Sequence, residues 1–422
     1  MKRWLALLAP LVIVACGEEG PTDVGGGLLA PDAVRTFEVF LEPHQYMVFD
    51  TAFGLYSDPV DANFTIVAHD FDDGLDSHGL MRFGIPSSIN VVDTLGVSRL
   101  DQNPAFIGGT LRMIADTLRS SEPPVLLALY RTTEAWDGTA TWTHRRDSAD
   151  VQLPWSVPGG VRGVLVDTAT YAAGDTLQFR VDSATIAAWR DTDDPTRGAM
   201  IVAETPGSRV RLSLPALDVQ AVSSMRPDTV YTTFATRQAR TFIFTPEQPA
   251  TVSELRVGGT PSWRSIIRLQ ERLDTVTVPC PGEPGCRVRL GDVMLSHAGL
   301  RLQPVLPPPG LRPEAALVIG AYVLAATPLV PLQRSPLTEL VGVGSVPASR
   351  FLAPGAPVFE LSITELFRRA IMPPEQWPEG AVAPTHLALA PGPDPVLFGF
   401  ATFESMPRLR LIVSTARELQ LP

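Results

Sequence analysis

The sequence predicts an all-β fold of two tandem β-sandwich domains, on the strength of three observations. First, a cassette occurs twice: GDTLQFRVDSATIAAW, Gly174 to Trp189, returns as GAPVFELSITELFRRA, Gly355 to Ala370. Its flanks repeat too, GLMRFGIP answering to RSIIRLQERL and RVRLSL to PRLRLIV. Second, short alternating runs of β-branched and aromatic residues recur between Pro- and Gly-rich turns, with hardly any long helical period. Third, 422 residues exceed one ordinary core and suit two domains of about 190 residues each. Each cassette reads as a strand led in by Gly, then Ser183 or Thr364 placed to cap one short helical turn. The alternation is offset by one residue between the copies, which would swap the strand faces.

The chain opens with a basic Met1-Lys2-Arg3 and an apolar stretch, Trp4 to Val12, broken by Pro10, which fits a secretory signal rather than a membrane span. Ile13-Val14-Ala15-Cys16 resembles the bacterial lipobox, in which the thiol is alkylated by a diacylglyceryl group and the Cys becomes the first mature residue. That resemblance implies a signal peptide over 1–15, lipidation at Cys16 and, with Gly17 where an inner-membrane retention signal has Asp, delivery to the outer membrane or cell surface. An ordinary signal peptide with an incidental Cys is the alternative. Each buried acyl CH₂ is worth about 0.8 kcal/mol, so several chains anchor a protein stably without a spanning helix. Residues 16–33, rich in Gly and poor in apolar side chains, read as a tether. In an exported chain Cys280 and Cys286, flanking the turn PGEPG, read as a loop disulfide; a metal or redox pair is the alternative.

A net charge of −11, with Lys2 the only lysine and no Arg-rich stripe, argues against a nucleic-acid partner. The preponderance of arginine reads first as codon bias. The first domain is expected over 34–224, with strands in TFEVFLEPHQYMV, ANFTIVAH and LMRFGI, over 109–115 and 124–132, and in GAMIVAE and RVRLSL. VLLALY is apolar throughout and so expected to be buried on both faces. The second domain is expected over 225–416, with a short tail at 417–422. Ala315 to Ala326 is apolar but ends at Pro328, short of the roughly 20 residues a helix needs to span hydrocarbon, and is expected to be a core strand.

Laid out this way, the pattern resembles the DNRLRE family. The second copy carries ELRVGGTPSWRSIIRL, with Val257, Gly258, Arg264 and Arg268, and ends on ESMPRLRLIV with Ser405, Pro407 and Arg408. The first carries Arg82 in LMRFGI, AWDGTATW with Trp136, Thr141 and Trp142, and a cassette ending at Trp189. The second copy lacks the W-x-TW element and has Ala370 in place of Trp189. The resemblance implies jelly-roll-like extracellular modules, some members of which bind polysaccharides.

Four sets of residues are candidates for chemistry. Asp70, Asp72, Asp73 and Asp76, beside His69 and His78, would offer oxygen ligands to Ca²⁺, although the spacing is not that of an EF-hand and a solvated loop explains it as well. Asp191, Asp193 and Asp194 form a second, weaker acidic loop. Trp136, Trp142, Trp155 and Trp263 fall in or beside expected loops where an indole can stack on a sugar face, the alternative for each being the core. Tyr130, Arg131 and Tyr171 are the residues a lyase would want, present singly. No G-x-S-x-G or H-E-x-x-H occurs, so no catalytic residue is assigned. The expectation is a non-enzymatic, lipid-anchored envelope module, glycan-binding or structural and adhesive. A polysaccharide-degrading lyase or hydrolase on a binding-module fold, or an accessory subunit of an outer-membrane complex, are the alternatives.

Overall fold

A computed structural model describes residues 34–55, 59–92, 96–172, 176–270, 275–280, 283–325, 330–372, 376, 384–392 and 397–416. Residues 1–15, read as a signal peptide, Cys16, the stretch read as a tether and the tail lie outside the described residues. The chain is all-β, as expected, and among the described residues the named strands pair antiparallel, with one isolated parallel bridge at Thr260 and Phe398.

One ten-stranded sheet makes the first unit. Its path runs Arg162–Tyr171, Val125–Thr132, Ala199–Ala203, Leu75–Gly84, Thr65–Phe71, Ser208–Val222, Ala105–Ala115, Thr176–Asp182. The sheet curls until its two ends, neighbours in sequence, lie side by side, the Arg180 N–H donating to Asp167 Oδ2 at 2.6 Å. Leu111, Met113, Leu127, Leu129, Phe179 and Val219 fill the interior. The VLLALY strand is buried as expected except at Leu126, which reaches solvent, and Tyr130, which is half-buried.

The second unit packs a nine-stranded sheet against a four-stranded one. Leu300, Leu409 and Leu411 from the smaller sheet meet Val257, Ile267, Ile319 and Leu389 from the larger in one core. The apolar run 315–326 supplies Leu317–Leu324, a strand inside the larger sheet between His386–Pro391 and Leu337–Val346. Gly258 of the Val-Gly pair sits where strand Gly399–Phe403 comes closest; a Cβ there would lie 2.3 Å from the Phe400 Cβ.

The strands do not sort at the expected border between 224 and 225. Val34–Leu41 pairs along its whole length with Arg408–Ala416, from Val34↔Ala416 to Leu41↔Leu409. Met47–Gly54 pairs with Trp263–Leu269. The first two strands of the chain therefore complete the second unit. Conversely, Val230–Phe234 pairs with the end of Ser208–Val222, and Thr236–Thr245 with Leu75–Gly84, so both complete the first unit. The two strand pairs occupy equivalent places, each extending the last strand of its unit and covering the strand after the first hairpin. Each repeat is preceded by a pair of strands that belongs to the other.

Both cassettes fold as read, a strand followed by a helix: Thr176–Asp182 then Ser183–Arg190, and Phe359–Ser362 then Thr364–Ile371. The caps differ from expectation. Asp182, not Ser183, caps the first helix, accepting from the Thr185 N–H at 2.7 Å. Thr364 accepts instead from the Ala298 N–H at 3.0 Å, tying the second helix to its sheet. The one-residue offset lies in that junction. Leu177, Phe179 and Val181 face inward, as do Leu361 and Ile363, so no face is swapped; Asp182 is the extra residue.

A shared core joins the units. Phe64, Ile66 and Phe242 from the first pack with Ala52, Trp263, Leu311, Phe398 and Phe400 from the second. Beside it, Glu314 of the second unit is fully enclosed by arginines of the first. Its Oε2 lies 2.8 Å from Arg211 and 3.6 Å from Arg119, and its Oε1 accepts from the Phe398 N–H at 3.1 Å. Arg211 stacks 3.8 Å over Phe64, and Arg209 4.6 Å over Phe71. Breaking a buried pair strands the remaining charge, at a cost of about 3–5 kcal/mol. Glu314→Ala is therefore expected to lower stability by about that amount in denaturant unfolding, while Glu365→Ala, whose exposed carboxylate pairs with Arg368, changes it by under about 1 kcal/mol.

Candidate functional site

The chain crosses between units twice, after Gly54 and after Thr245. Both crossings border one cleft of about 130 Å³ at the seam. Leu55 and Pro59 come from the first crossing, Glu247 and Gln248 from the second, and Thr260, Pro261 and Ser262 from the second unit's first hairpin. The remaining wall includes Phe244 and its strand neighbours, together with Thr139, Thr141, Trp142 and Asp147 from a long loop of the first unit. Leu55 is held at φ 61, a region that costs a non-glycine residue roughly 1–2 kcal/mol, with its side chain exposed at the rim.

That loop is rigid because its own side chains tie it down. Asp137 accepts from the Thr139 N–H at 3.0 Å, from the Thr139 hydroxyl at 2.6 Å and from Arg146 at 2.6 Å. Trp155 is buried behind the loop, its Nε1–H donating to the Thr141 carbonyl at 2.9 Å. Trp142 is half-buried, with His78 against it at 4.9 Å between ring centroids. Gly159, at φ +86, lies so close that a Cβ would sit 2.8 Å from the indole. Thr143 donates from its N–H at 2.8 Å and its hydroxyl at 2.9 Å to Glu247, joining the loop to the second crossing. The indole thus stands preorganised, free of the ordering cost that a flexible loop would carry into binding.

The tryptophans divide. Trp136, Trp155 and Trp263 are core residues: Arg82 lies 4.8 Å over Trp136 and Arg256 4.9 Å over Trp263, each ring sealed by a guanidinium. Trp142 alone of the four lines the cleft. A sequence reading missed Phe244, Glu247 and Gln248; the only local signal is the proline-bracketed TPEQP.

The acidic run does not converge on an ion. Asp70, Asp72 and Asp73 take positive φ to turn the hairpin between Thr65–Phe71 and Leu75–Gly84. Asp76 Oδ1 accepts from the Asp70 N–H at 2.9 Å, and Asp72 reaches the second unit, accepting from the Gly310 N–H at 2.9 Å with Arg312 at 3.5 Å. In the second acidic loop Asp191 and Asp194 accept from backbone N–H groups two residues on. Among the described residues no group of three or more His, Cys, Asp or Glu side chains could hold a metal ion. Tyr130 donates to Glu204 at 3.0 Å and Tyr171 is buried, so neither stands as a free base. Cys280 and Cys286 sit on the two strands of the hairpin Thr275–Cys280 and Glu283–Arg289, offset diagonally, Cys286 facing Val278 and Cys280 facing Glu283. Cys286 is buried and disulfide-bonded, while the Cys280 side chain lies outside the described residues.

His78 packs behind Trp142 and is buried there. Its Nδ1 is 2.8 Å from the Gly159 carbonyl, which can only accept, so the neutral ring carries its proton there. Burial, helped by Arg162, pushes its pKa down from 6.5 to about 4. The folded ring binds a proton more weakly than the unfolded one, so its contribution is complete above about pH 6.5 and is lost as pH falls toward about 4. Thermal unfolding of the native chain is expected to lose up to about 3 kcal/mol across that window from this group, and His78→Gln to lose correspondingly less over the same interval.

No helix among the described residues is long and apolar enough to cross a membrane. No family model, curated protein or solved structure gives a match to this chain.

Proposed function

We propose that the chain is a lipid-anchored envelope protein whose seam cleft binds a saccharide unit. The observation that carries this reading is the pairing of a fixed, half-buried indole, Trp142, with hydroxyl, amide and carboxylate groups from Thr139, Thr141, Asp147 and Gln248 around one small cleft. An apolar platform with a few convergent polar groups is what a pyranose ring requires: stacking on its C–H face and hydrogen bonds to its hydroxyls. At about 130 Å³ the cleft is smaller than the roughly 300–1,000 Å³ of sites that engulf a whole ligand, and suits one ring of a longer chain. The W-x-TW element that carries the DNRLRE resemblance supplies this tryptophan, and the second repeat, lacking it, has no counterpart. Cys16 is the proposed anchor, and the mature strands begin close to it in sequence, on the second unit.

A hydrolytic reading has one observation in its favour: two carboxylates, Asp147 and Glu247, line the same cleft, as glycoside hydrolysis requires. Binding and turnover separate on a glycan array followed by product analysis. The expected result is binding without release of reducing ends, and Trp142→Ala is expected to weaken it by about tenfold or more while the unfolding transition is retained. Reducing ends released by the native chain but not by Asp147→Asn or Glu247→Gln would replace binding by hydrolysis; no binding to any glycan would overturn the reading.

A further inference from the structure

We propose that the seam cleft selects a cationic saccharide, one carrying a protonated amine, over neutral or acidic ones. The inference rests on the binding role proposed above and adds the charge of the ligand. Among the described residues two carboxylates line the cleft, Asp147 and Glu247, and no Arg, Lys or His does. Their hydrogen-bond partners are neutral: Glu247 accepts from Thr143 at 2.8 and 2.9 Å, and Asp147 from the Gln152 amide at 2.8 Å.

The guanidiniums nearest in sequence are held by groups other than the two carboxylates: Arg145 donates to the Ala135 carbonyl at 3.0 Å and Arg240 to the Ala62 carbonyl. Arg146 points to Asp137 at 2.6 Å. Arg256 donates to Glu254 at 3.0 Å and to the Gln248 side chain at 3.1 Å, and lies over Trp263 and Phe400. His78, behind Trp142, stays neutral near pH 7 because burial holds its pKa down. The cleft therefore presents two negative charges and the rings of Trp142 and Phe244, with no compensating cation among the described residues of its wall. Aromatic faces and carboxylates attract an ammonium group together, and both repel a sulfate or uronate. The net charge of −11 acts in the same direction at longer range.

The test is calorimetric titration of the full chain in detergent with three oligosaccharide series: glucosamine, N-acetylglucosamine and glucuronate oligomers. The first two differ by an acetyl group on each nitrogen, which removes its charge. Glucosamine oligomers are expected to bind about tenfold or more tightly than their acetylated counterparts. In the Asp147→Asn, Glu247→Gln double variant that gap is expected to close, with residual affinity for the acetylated series reporting that the cleft is still formed. Equal affinity for both series, or a preference for glucuronate, would overturn the charge selection and leave saccharide binding standing. Failure of all three to bind would remove the saccharide reading and this inference with it.

Discussion

The structure depends on one strand pairing, that of Val34–Leu41 with Arg408–Ala416 across nearly the full length of the chain. With Met47–Gly54 beside it on Trp263–Leu269, this pairing makes the second unit a joint product of both termini. Backbone groups along Arg408–Ala416 and Trp263–Leu269 would otherwise face a missing neighbour, and unpaired strand edges are both costly and prone to pair with other chains. The leading strands close the second unit as Val230–Phe234 and Thr236–Thr245 close the first. The contacts that matter most are thus the most distant in sequence, which implies slow closure, since loop entropy precedes the stabilisation that the pairing brings.

Joining the units this way has consequences at the seam. Two crossings run through it in opposite directions, and the residues beside them pack into a core that belongs to neither unit alone, with Phe242 against Phe64 and Phe398. Arginine serves this seam better than lysine would. A planar guanidinium can lie flat on an aromatic ring and still donate from its edge, as Arg211 does between Phe64 and Glu314. The arginine-rich composition, whatever its origin in codon usage, is used structurally at Arg82, Arg209, Arg211 and Arg256. The cleft is the part of the seam that this packing leaves open, so the proposed site is a product of the crossing itself.

Local features of the chain were legible from sequence; their assembly was not. Alternation identified Thr176–Asp182 as a strand because its side chains meet a core on a period of two, while Leu317–Leu324 was legible as an apolar run too short to span a membrane. The repeat marked two similar bodies along the chain, each of which the fold shows to have a pair of strands ahead of it. It could not reveal which body each pair completes, because TFEVFL and VYTTF carry the same kind of alternation and both bodies present equivalent edges. Trp142 was among the candidates, but three other tryptophans looked the same, and only burial separates them. Glu247 was invisible because its partner, Thr143, is 104 residues away and no chemical motif links them. The acidic run misled for a physical reason: Asp at positive φ is a turn residue, and Asp70, Asp72 and Asp73 turn a hairpin as readily as they would bind an ion.

The most direct measurement is to cut the chain in two ways and follow the unfolding of each piece. Val34 lies opposite Ala416, so a short hairpin loop can join the end of residues 251–416 to the start of residues 34–54. The exchanged-strand account predicts that this permuted piece and residues 59–246 each give a cooperative thermal transition, while residues 34–224 and 225–416, cut at the sequence border, give none. Cooperative unfolding of the sequential halves, with none in the permuted piece, would contradict it.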